Sequence, residues 1–454
     1  MRTRWTTFSS GRTAARAGLL SAVLLLVFSS VGLAQGPSGT ADAGSGFENR
    51  PGGHGRHLVG HVTRLLNVPG TPLGENRPVN VHLWYPARTP DGCENSGDPG
   101  CSMNPSVYTS RLFGIPLPSP WAPLSWTIGS NLSFENLPID TDTDEQPFPV
   151  IVFSHGNEDI AIDYVYTLET LASFGFIVAA PDHLNNTEDD DLIDFINLKA
   201  GVTVIPCFDG LPSPCARGAN VTKSMTDRVH DVSAIIDALP SWFADRADTS
   251  RIAVMGHSRG TVTALAAAGG STTWGFPADP RVKAIMGLAI GSPAITGGVN
   301  LQAITVPALL VAGTLDMTAP STTSLNAFTT LASAKKEFVL IGNAKHRHFD
   351  SGLCAQTQSS GAVAAANPNA ILDLQSLMNT LLKFPLSGAA MDFCGYDTFT
   401  EPTDIRPLVA SLTGFSVTAD NVPTTGLTSD AVKDEVIDLA VDFFGHVFVR
   451  EGGR

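Results

Sequence analysis

The stretch that decides the fold reads RIAVMGHSRG, from Arg251 to Gly260, and the small-residue segment TVTALAAAGG follows it. An apolar run that ends in Gly-x-Ser-x-Gly and continues into a helix-like segment is typical of the nucleophile elbow of serine hydrolases. Gly256 and Gly260 have no Cβ to crowd the sharp turn, so the turn can lift the hydroxyl of Ser258 clear of the sheet. The motif occurs once in the chain, and we predict that Ser258 is a nucleophile.

Strand-like and helix-like segments alternate around this motif. The continuously apolar runs, each typical of a strand buried on both faces, cover residues 148–157, 176–183, 282–290, 306–316 and 336–346. Segments 163–175, 225–243 and 429–449 repeat their apolar residues with a helical period. This alternation predicts an α/β fold with a mainly parallel central sheet flanked by helices.

The length of 454 residues would allow about three domains. The candidate catalytic residues, however, are spread from 157 to 346 and must meet in one site. We therefore predict a single domain over residues 57–454. Three turn-rich or irregular segments are predicted to be insertions that lie over the site, near residues 88–146, 185–220 and 351–428.

The first 34 residues have the features of a cleavable signal peptide. Its basic start contains Arg2, Arg4, Arg12 and Arg16. A short apolar core at 19–28 precedes Gly32-Leu33-Ala34, a small-x-small cleavage site. We expect a secreted or periplasmic protein; an uncleaved membrane anchor is the alternative. Residues 35–56 are rich in Gly, Ser and Ala, which predicts a flexible segment.

The bulk composition limits the partners. A formal net charge of −15 argues against nucleic acid. With 43% hydrophobic residues the chain can bury a large core, and no segment after the N-terminal apolar core predicts a stable membrane insertion. The oligomeric state is left open.

The six cysteines fall into near pairs, which fits an exported protein with disulfides. Pairing of nearest neighbours would join Cys93 to Cys101, Cys207 to Cys215, and Cys354 to Cys394. Six cysteines allow 15 arrangements, so the connectivity stays open. The spacing C-x₂₋₄-C does not occur, and we predict no metal site.

A serine nucleophile needs a base, and the base needs a third group to orient it. In this fold type the order along the chain is Ser, then Asp or Glu, then His. Asp316 ends an apolar strand in GTLD and is the predicted acid, although it could instead cap the following helix. His346 follows the next strand in GNAKHRHFD and is the predicted base; His348 is the alternative.

The oxyanion hole of such a site needs two N–H groups. The backbone of Arg259, directly after the nucleophile, is predicted to supply one. The loop after the strand VIVFSHG is predicted to supply the other through Asn157, with His155 and Gly156 shaping the loop. His155 is interpreted as structural rather than catalytic.

Several stretches together resemble the α/β-hydrolases related to platelet-activating factor acetylhydrolase. They are WYPA, FSHG, LASFGFIVAAPDH, GHSRG, VPALLVAGTLD and GNAKHRHF. That group includes dienelactone-hydrolase-like esterases, plant chlorophyllases and cutinase-type polyester hydrolases. The resemblance implies the α/β-hydrolase fold, with Ser258 as nucleophile, Asp316 as acid, His346 as base, and Asn157 and Arg259 as oxyanion donors.

The resemblance covers roughly residues 57–350 without the insertions, and the chain departs from the group at three places. True dienelactone hydrolases carry Cys where this chain has Ser258. Thr261 stands where the acetylhydrolases usually have a second glycine. The segment after His346 is longer than the closing helix of compact members.

We therefore expect an exported serine carboxylic-ester hydrolase that works through an acyl-enzyme, without metal or cofactor. Its expected substrates are neutral acyl esters of short to medium chain length. The alternatives are a phospholipid acyl hydrolase of the platelet-activating-factor type, a polyester hydrolase, and a non-catalytic hydrolase-like binding protein.

Overall fold

The computed structural model describes residues 53–70, 76–91, 93, 103–109, 127–141, 146–157, 159–184, 186–187, 221–291, 296–314, 316, 318–342, 344–350 and 429–449. The predicted signal peptide, most of the predicted flexible segment, and the predicted insertions at 185–220 and 351–428 lie outside this set, apart from Asn186 and Thr187. No helix within the described ranges is long and apolar enough to cross a membrane.

Among the described residues, ten strands form one sheet. They are β1 (Leu58–Val68), β2 (Arg77–Ala87), β3 (Pro105–Thr109), β4 (Thr127–Glu135), β5 (Phe148–Ser154), β6 (Ile177–Asp182), β7 (Ala247–His257), β8 (Val282–Leu288), β9 (Ala308–Gly313) and β10 (Lys336–Ile341). Their order is β10-β9-β8-β7-β5-β6-β2-β1-β4-β3. The run from β10 to β6 is parallel, and β2 pairs antiparallel with both β6 and β1.

Helices cover both faces of the sheet. They are α1 (Val165–Ser173), α2 (Val221–Phe243), α3 (Arg259–Gly269), α4 (Ser321–Thr330) and α5 (Ser429–Val449). Helices α1 and α5 pack into one apolar core, and α2, α3 and α4 pack into the other. Because side chains alternate along a strand, β5 contributes Ile151 and Phe153 to the first core, and Val150 and Val152 to the second. The predicted fold class is confirmed.

The segment predicted as an insertion near 88–146 contributes strands β3 and β4 to the edge of the sheet. β4 runs parallel to β1, with Val59 opposite Ser133. The carboxyl ends of the parallel strands β5, β7, β9 and β10 lie along one edge of the sheet, perpendicular to the edge formed by β3. Functional residues of open parallel sheets lie at these carboxyl ends. That edge therefore receives the loops with the predicted site residues.

Candidate active site

Ser258 lies at the junction of β7 and α3 in a strained backbone conformation. Its φ of 53° and ψ of −115° are unusual for a residue with a side chain. Backbone hydrogen bonds fix the turn: the amide of Ser258 donates to Leu288 at 2.9 Å, and the amide of Gly291 donates to Ser258 at 3.1 Å. Ser258 is half-buried, whereas His257 and Arg259 beside it are buried. The turn thus leaves Ser258 more exposed than its two neighbours, which is the arrangement that the motif predicts.

The two motif glycines are required by close packing of the backbone. A Cβ on Gly256 would lie 2.3 Å from the carbonyl of Gly260. A Cβ on Gly260 would lie 1.8 Å from the carbonyl oxygen of Ser154 at the end of β5. The elbow can therefore pack against β5 only because Gly256 and Gly260 have no side chains.

Thr261, one of the departures from the group's pattern, is accommodated in the structure. Its hydroxyl lies 2.8 Å from the carbonyl oxygen of Gly256 and 2.7 Å from that of Leu288. Its methyl group fits because position 287 is glycine, where a Cβ would lie 2.3 Å from that methyl. The threonine therefore adds a hydrogen bond to the elbow without crowding β8.

Asp316 and His346 meet at the ends of β9 and β10. Nδ1 of His346 lies 2.8 Å from Oδ2 of Asp316, and both side chains are buried. The other carboxylate oxygen accepts the amide of Ala319 at 2.6 Å. Because Asp316 is anchored by this hydrogen bond, it can orient the imidazole of His346 through Nδ1. Nε2 is then the ring nitrogen of His346 that does not face Asp316. Asp316 thus fixes a turn as well as contacting the histidine.

His348 has a different environment from His346. Its Nδ1 accepts the amide of Lys345 at 3.3 Å, and its ring is buried. Burial, with Lys345 and Lys433 adding to it, lowers the pKa of His348 to about 4. The structure therefore brings His346, rather than His348, against Asp316, although the identity of the base stays a prediction.

A second imidazole supports the ring of His346. The ring of His257 lies 4.6 Å from it, centroid to centroid, and Nδ1 of His257 lies 2.7 Å from the hydroxyl of Tyr164. That hydroxyl donates in turn to Asp159. Sequence reasoning missed both Tyr164 and His257 as parts of the site. The histidine could have been noticed from its place directly before the nucleophile.

The loop after β5 carries Asn157, which is half-buried. Nε2 of His155 accepts the amide of His183 at 3.0 Å, so its proton resides on Nδ1, which lies 2.8 Å from the carbonyl of Gly156. Burial, with Arg228 adding to it, lowers the pKa of His155 well below its usual value. Both ring nitrogens are thus occupied in holding the loop, which agrees with the structural role interpreted from the sequence.

The residues from 141 to 363 match the protein-family model "PETase: PET hydrolase-like". The chain has the α/β-hydrolase fold, and just under half of its length is similar to this esterase family. This α/β-hydrolase is a carboxylic-ester hydrolase, and its substrate is an ester.

Solved structures similar to this α/β-hydrolase include three esterases or related hydrolases. A ferulic acid esterase from Streptomyces cinnamoneus is 18% identical, with 86% of this chain and 88% of that chain covered and a TM-score of 0.45. A cold-adapted esterase from an Arctic intertidal metagenomic library is 15% identical, with 64% and 86% covered and a TM-score of 0.36. A dienelactone hydrolase from Anabaena variabilis is 15% identical, with 66% and 95% covered and a TM-score of 0.36.

Within the described part of the α/β-hydrolase, one buried group has residue types that can bind a metal ion. Asp159, His257 and Asp350 each offer a potential ligand atom, and these atoms lie within 4.8 Å of one another. The hydroxyl of Tyr164 already hydrogen-bonds to both Asp159 and His257, so this contact accounts for part of the cluster without an ion. That the enzyme needs no metal stays a prediction.

Proposed function

We propose that Ser258, His346 and Asp316 form the catalytic triad of this ester hydrolase and that the reaction passes through an acyl-enzyme. The observation that carries the proposal is the 2.8 Å contact of Nδ1 of His346 with Asp316, at the same sheet edge as the strained Ser258 elbow. Three groups in these roles are what a serine nucleophile requires.

In the acylation step, the Oγ of Ser258 attacks the ester carbonyl while Nε2 of His346 takes its proton. Asp316 stabilises the imidazolium that forms and keeps the ring in place. The oxyanion of the tetrahedral intermediate accepts hydrogen bonds from the backbone N–H groups of Asn157 and Arg259. Arg259 lies at the N-terminus of α3. Collapse expels the alcohol, which takes the proton from His346.

In the deacylation step, His346 takes a proton from a water molecule, which attacks the acyl group on Ser258. The second tetrahedral intermediate uses the same two N–H donors. Its collapse releases the carboxylic acid and returns the proton to Ser258. Besides the ester and this water molecule, the two steps as written use only groups of the chain.

We assign neutral acyl esters of short to medium chain length as the preferred substrates. The support is compositional: the predicted insertions at 88–146, 185–220 and 351–428 are poor in Lys and Arg and rich in small and apolar residues. Such segments do not attract anionic head groups. A series of p-nitrophenyl esters from acetate to palmitate tests this. Fastest turnover is expected between butyrate and octanoate, and fastest turnover of palmitate would contradict it.

Polyester hydrolysis is the second candidate, because the matching family is named for hydrolysis of poly(ethylene terephthalate). The test is release of soluble aromatic acids from a film of that polymer by wild-type enzyme. Release that depends on Ser258 would favour this candidate. Turnover of soluble esters with no release from the film would exclude it. A phospholipid with a short acyl chain, assayed in parallel, tests the third candidate.

We further propose that the enzyme is exported after cleavage of a signal peptide near Ala34. The support is the order of basic, apolar and small residues within 1–34. N-terminal sequencing of the protein recovered from the periplasm or medium tests this. A mature chain beginning near Gln35 is expected, and an exported chain that still begins at Met1 would contradict cleavage.

A further inference from the structure

We propose that Arg228, on helix α2, is a positioning residue that sets the direction of the Asn157 backbone N–H in the oxyanion hole. The proposal rests on the oxyanion hole of the proposed function. It adds a residue that touches neither the triad nor the reacting atoms.

The guanidinium of Arg228 holds two successive carbonyl groups of the loop after β5. Nη1 donates to His155 at 2.7 Å, and Nη2 donates to Gly156 at 2.7 Å. Nη1 also lies 3.2 Å from the hydroxyl of Ser154, the last residue of the strand. The planar guanidinium presents its N–H groups in a fixed fork, so both carbonyl groups are held toward α2 at once.

The contact with Gly156 fixes the proposed donor through the geometry of the peptide bond. The carbonyl of Gly156 and the N–H of Asn157 belong to one planar peptide unit, and in a trans unit they point in opposite directions. Holding the carbonyl toward Arg228 therefore directs the N–H of Asn157 away from α2. An oxyanion donor acts only when it is aimed in advance at the developing charge.

This peptide unit and the unit before it, between His155 and Gly156, are held by further contacts. The Nδ1–H of His155 lies 2.8 Å from the carbonyl of Gly156, and the amide of Gly156 donates to the Tyr164 hydroxyl at 3.2 Å. A Cβ at Gly156 would lie 2.1 Å from the carboxylate of Asp159, so that side chain packs directly against this residue. Arg228 supplies the charged contact in this arrangement.

Arg228 also connects the loop to the second proposed donor. The Oδ1 of Asn186 accepts from Arg228 through Nε at 3.0 Å and through Nη2 at 2.8 Å. The same oxygen lies 3.4 Å from Nη1 of Arg259, whose backbone N–H is the other proposed donor. Asn186 is held by Ser224 on α2 at 2.7 Å. Asn186 thus contacts both Arg228, which holds the Asn157 loop, and the side chain of Arg259.

The burial of Arg228 distinguishes it from a surface arginine. Its side chain is 1% exposed, and its described hydrogen bonds all go to uncharged oxygens. Burial and the neighbouring Arg259 lower the pKa of Arg228 to about 9, so the guanidinium is still charged near neutral pH. A buried charge that holds backbone carbonyls of the site loop gives stronger hydrogen bonds than a neutral donor would.

The test compares Arg228→Lys with Arg246→Lys in the full-length enzyme. Lysine keeps the charge but lacks the fork that holds two carbonyl groups. Arg246 is the matched control, because it is also buried and donates to a carbonyl, that of Asp140 at 2.8 Å. It precedes β7, at the edge of the sheet opposite the site. A purely structural role would affect the two variants alike.

For Arg228→Lys we expect kcat to fall about tenfold to a hundredfold, the range for a displaced or weakened oxyanion donor. KM should change by less than about threefold, and a trifluoromethyl ketone inhibitor, whose adduct carries the oxyanion, should bind more weakly by the same factor as kcat. Arg246→Lys should leave kcat and inhibitor affinity unchanged. An unchanged kcat in folded Arg228→Lys, or an equal loss in Arg246→Lys, would overturn the proposal.

If Arg228→Lys does not fold, Asn186→Ala tests the proposal instead. It removes the oxygen that accepts two hydrogen bonds from Arg228 but leaves the arginine in place. A lower kcat at similar KM is expected, and an unchanged kcat would contradict the proposed link. Failure of the triad itself is recognised separately: wild-type enzyme would then not react with a fluorophosphonate at Ser258. In the proposed arrangement Arg228→Lys still reacts there, but more slowly.

Discussion

Nδ1 of His346 lies 2.8 Å from Oδ2 of Asp316, and this contact joins the loops that follow the adjacent strands β9 and β10. The acid is held by the amide of Ala319, and the base lies against the ring of His257. The imidazole is therefore oriented from two sides, by a carboxylate and by a neighbouring ring. Such an arrangement suits a general base that must meet a serine on a third loop.

The first prediction separates the two histidines of the segment KHRHF. His346→Ala should reduce kcat for a p-nitrophenyl ester by at least about a thousandfold, because the base and its contact with Asp316 are both lost. His348→Ala should retain measurable turnover, because Nδ1 of His348 accepts the amide of Lys345, whereas Nδ1 of His346 lies against Asp316. Steady-state kinetics of both variants, with circular dichroism to verify folding, decide it. An inactive His348→Ala beside an active His346→Ala would reverse the assignment.

A second prediction concerns the backbone contact at the elbow. Gly260→Ala places a methyl group 1.8 Å from the carbonyl oxygen of Ser154, so β5 and β7 must separate. We expect a loss of more than about 3 kcal/mol in the free energy of unfolding, or no soluble protein.

Gly275→Ala is the control for that substitution. Gly275 has a positive φ of 80°, which Gly260 in helix α3 does not, and its Cβ would meet no atom within 4 Å. The cost there should be about 1 kcal/mol, from backbone conformation alone. Urea unfolding of both variants measures the difference, and equal losses would show that the packing of the elbow is not what demands glycine.

The buried histidines predict acid sensitivity. Burial, assisted by Lys345 and Lys433, lowers the pKa of His348 to about 4, against an ordinary value of 6.5. The unfolded chain therefore binds a proton that the folded chain does not. Above pH 6.5 both states leave His348 neutral, and its protonation does not favour unfolding. As the pH falls from 6.5 toward 4, protonation of the unfolded chain lowers the free energy of unfolding by up to about 1.4 kcal/mol per pH unit.

His348→Asn checks that prediction, because the asparagine oxygen can still accept the amide of Lys345. The free energy of unfolding, measured in urea at several values between pH 4 and pH 7, should fall less steeply in the variant than in wild type. His155 and His183, whose pKa values burial also lowers, remain in both proteins. Identical slopes would show that His348 does not titrate as inferred.

The cysteines provide a fourth prediction. Cys93 carries no free thiol, and the other five cysteines lie outside the described residues, so their pairing stays a prediction. A disulfide across a short loop adds up to about 2–3 kcal/mol in the chain-entropy model. Reductant should therefore lower the Tm of the exported protein. Six reactive thiols in denaturant without reductant would contradict the pairing.

Much of the fold could be predicted because its signals are local. The central strands are continuously apolar, and the elbow needs glycines at fixed positions on both sides of Ser258. By contrast, the sequence pattern does not indicate β1, β3 or β4. These strands lie toward one edge of the sheet, where exposed positions such as Leu65 and Val107 break the expected alternation.

For the candidate site, the sequence predicts the order of its residues along the chain but not the contacts that support them. Asp316 and His346 follow apolar strands, whereas the contacts of Arg228 with the loop after β5 join residues about seventy positions apart. One local signal could have identified the arginine. It lies on the same face of α2 as Met225 and Val232, both of which are buried, and a charged residue on the apolar face of a helix implies a buried partner.

The central claim is that Ser258 is the nucleophile that carries the acyl group, and covalent labelling tests it most directly. Wild-type enzyme and Ser258→Ala are treated with a fluorophosphonate, and the modified peptide is located by mass spectrometry. We predict one adduct, on Ser258, with loss of esterase activity in proportion to labelling. We predict neither adduct nor activity in Ser258→Ala, with its free energy of unfolding within about 1 kcal/mol of wild type. Labelling at another residue, or ester turnover by folded Ser258→Ala, would contradict the account.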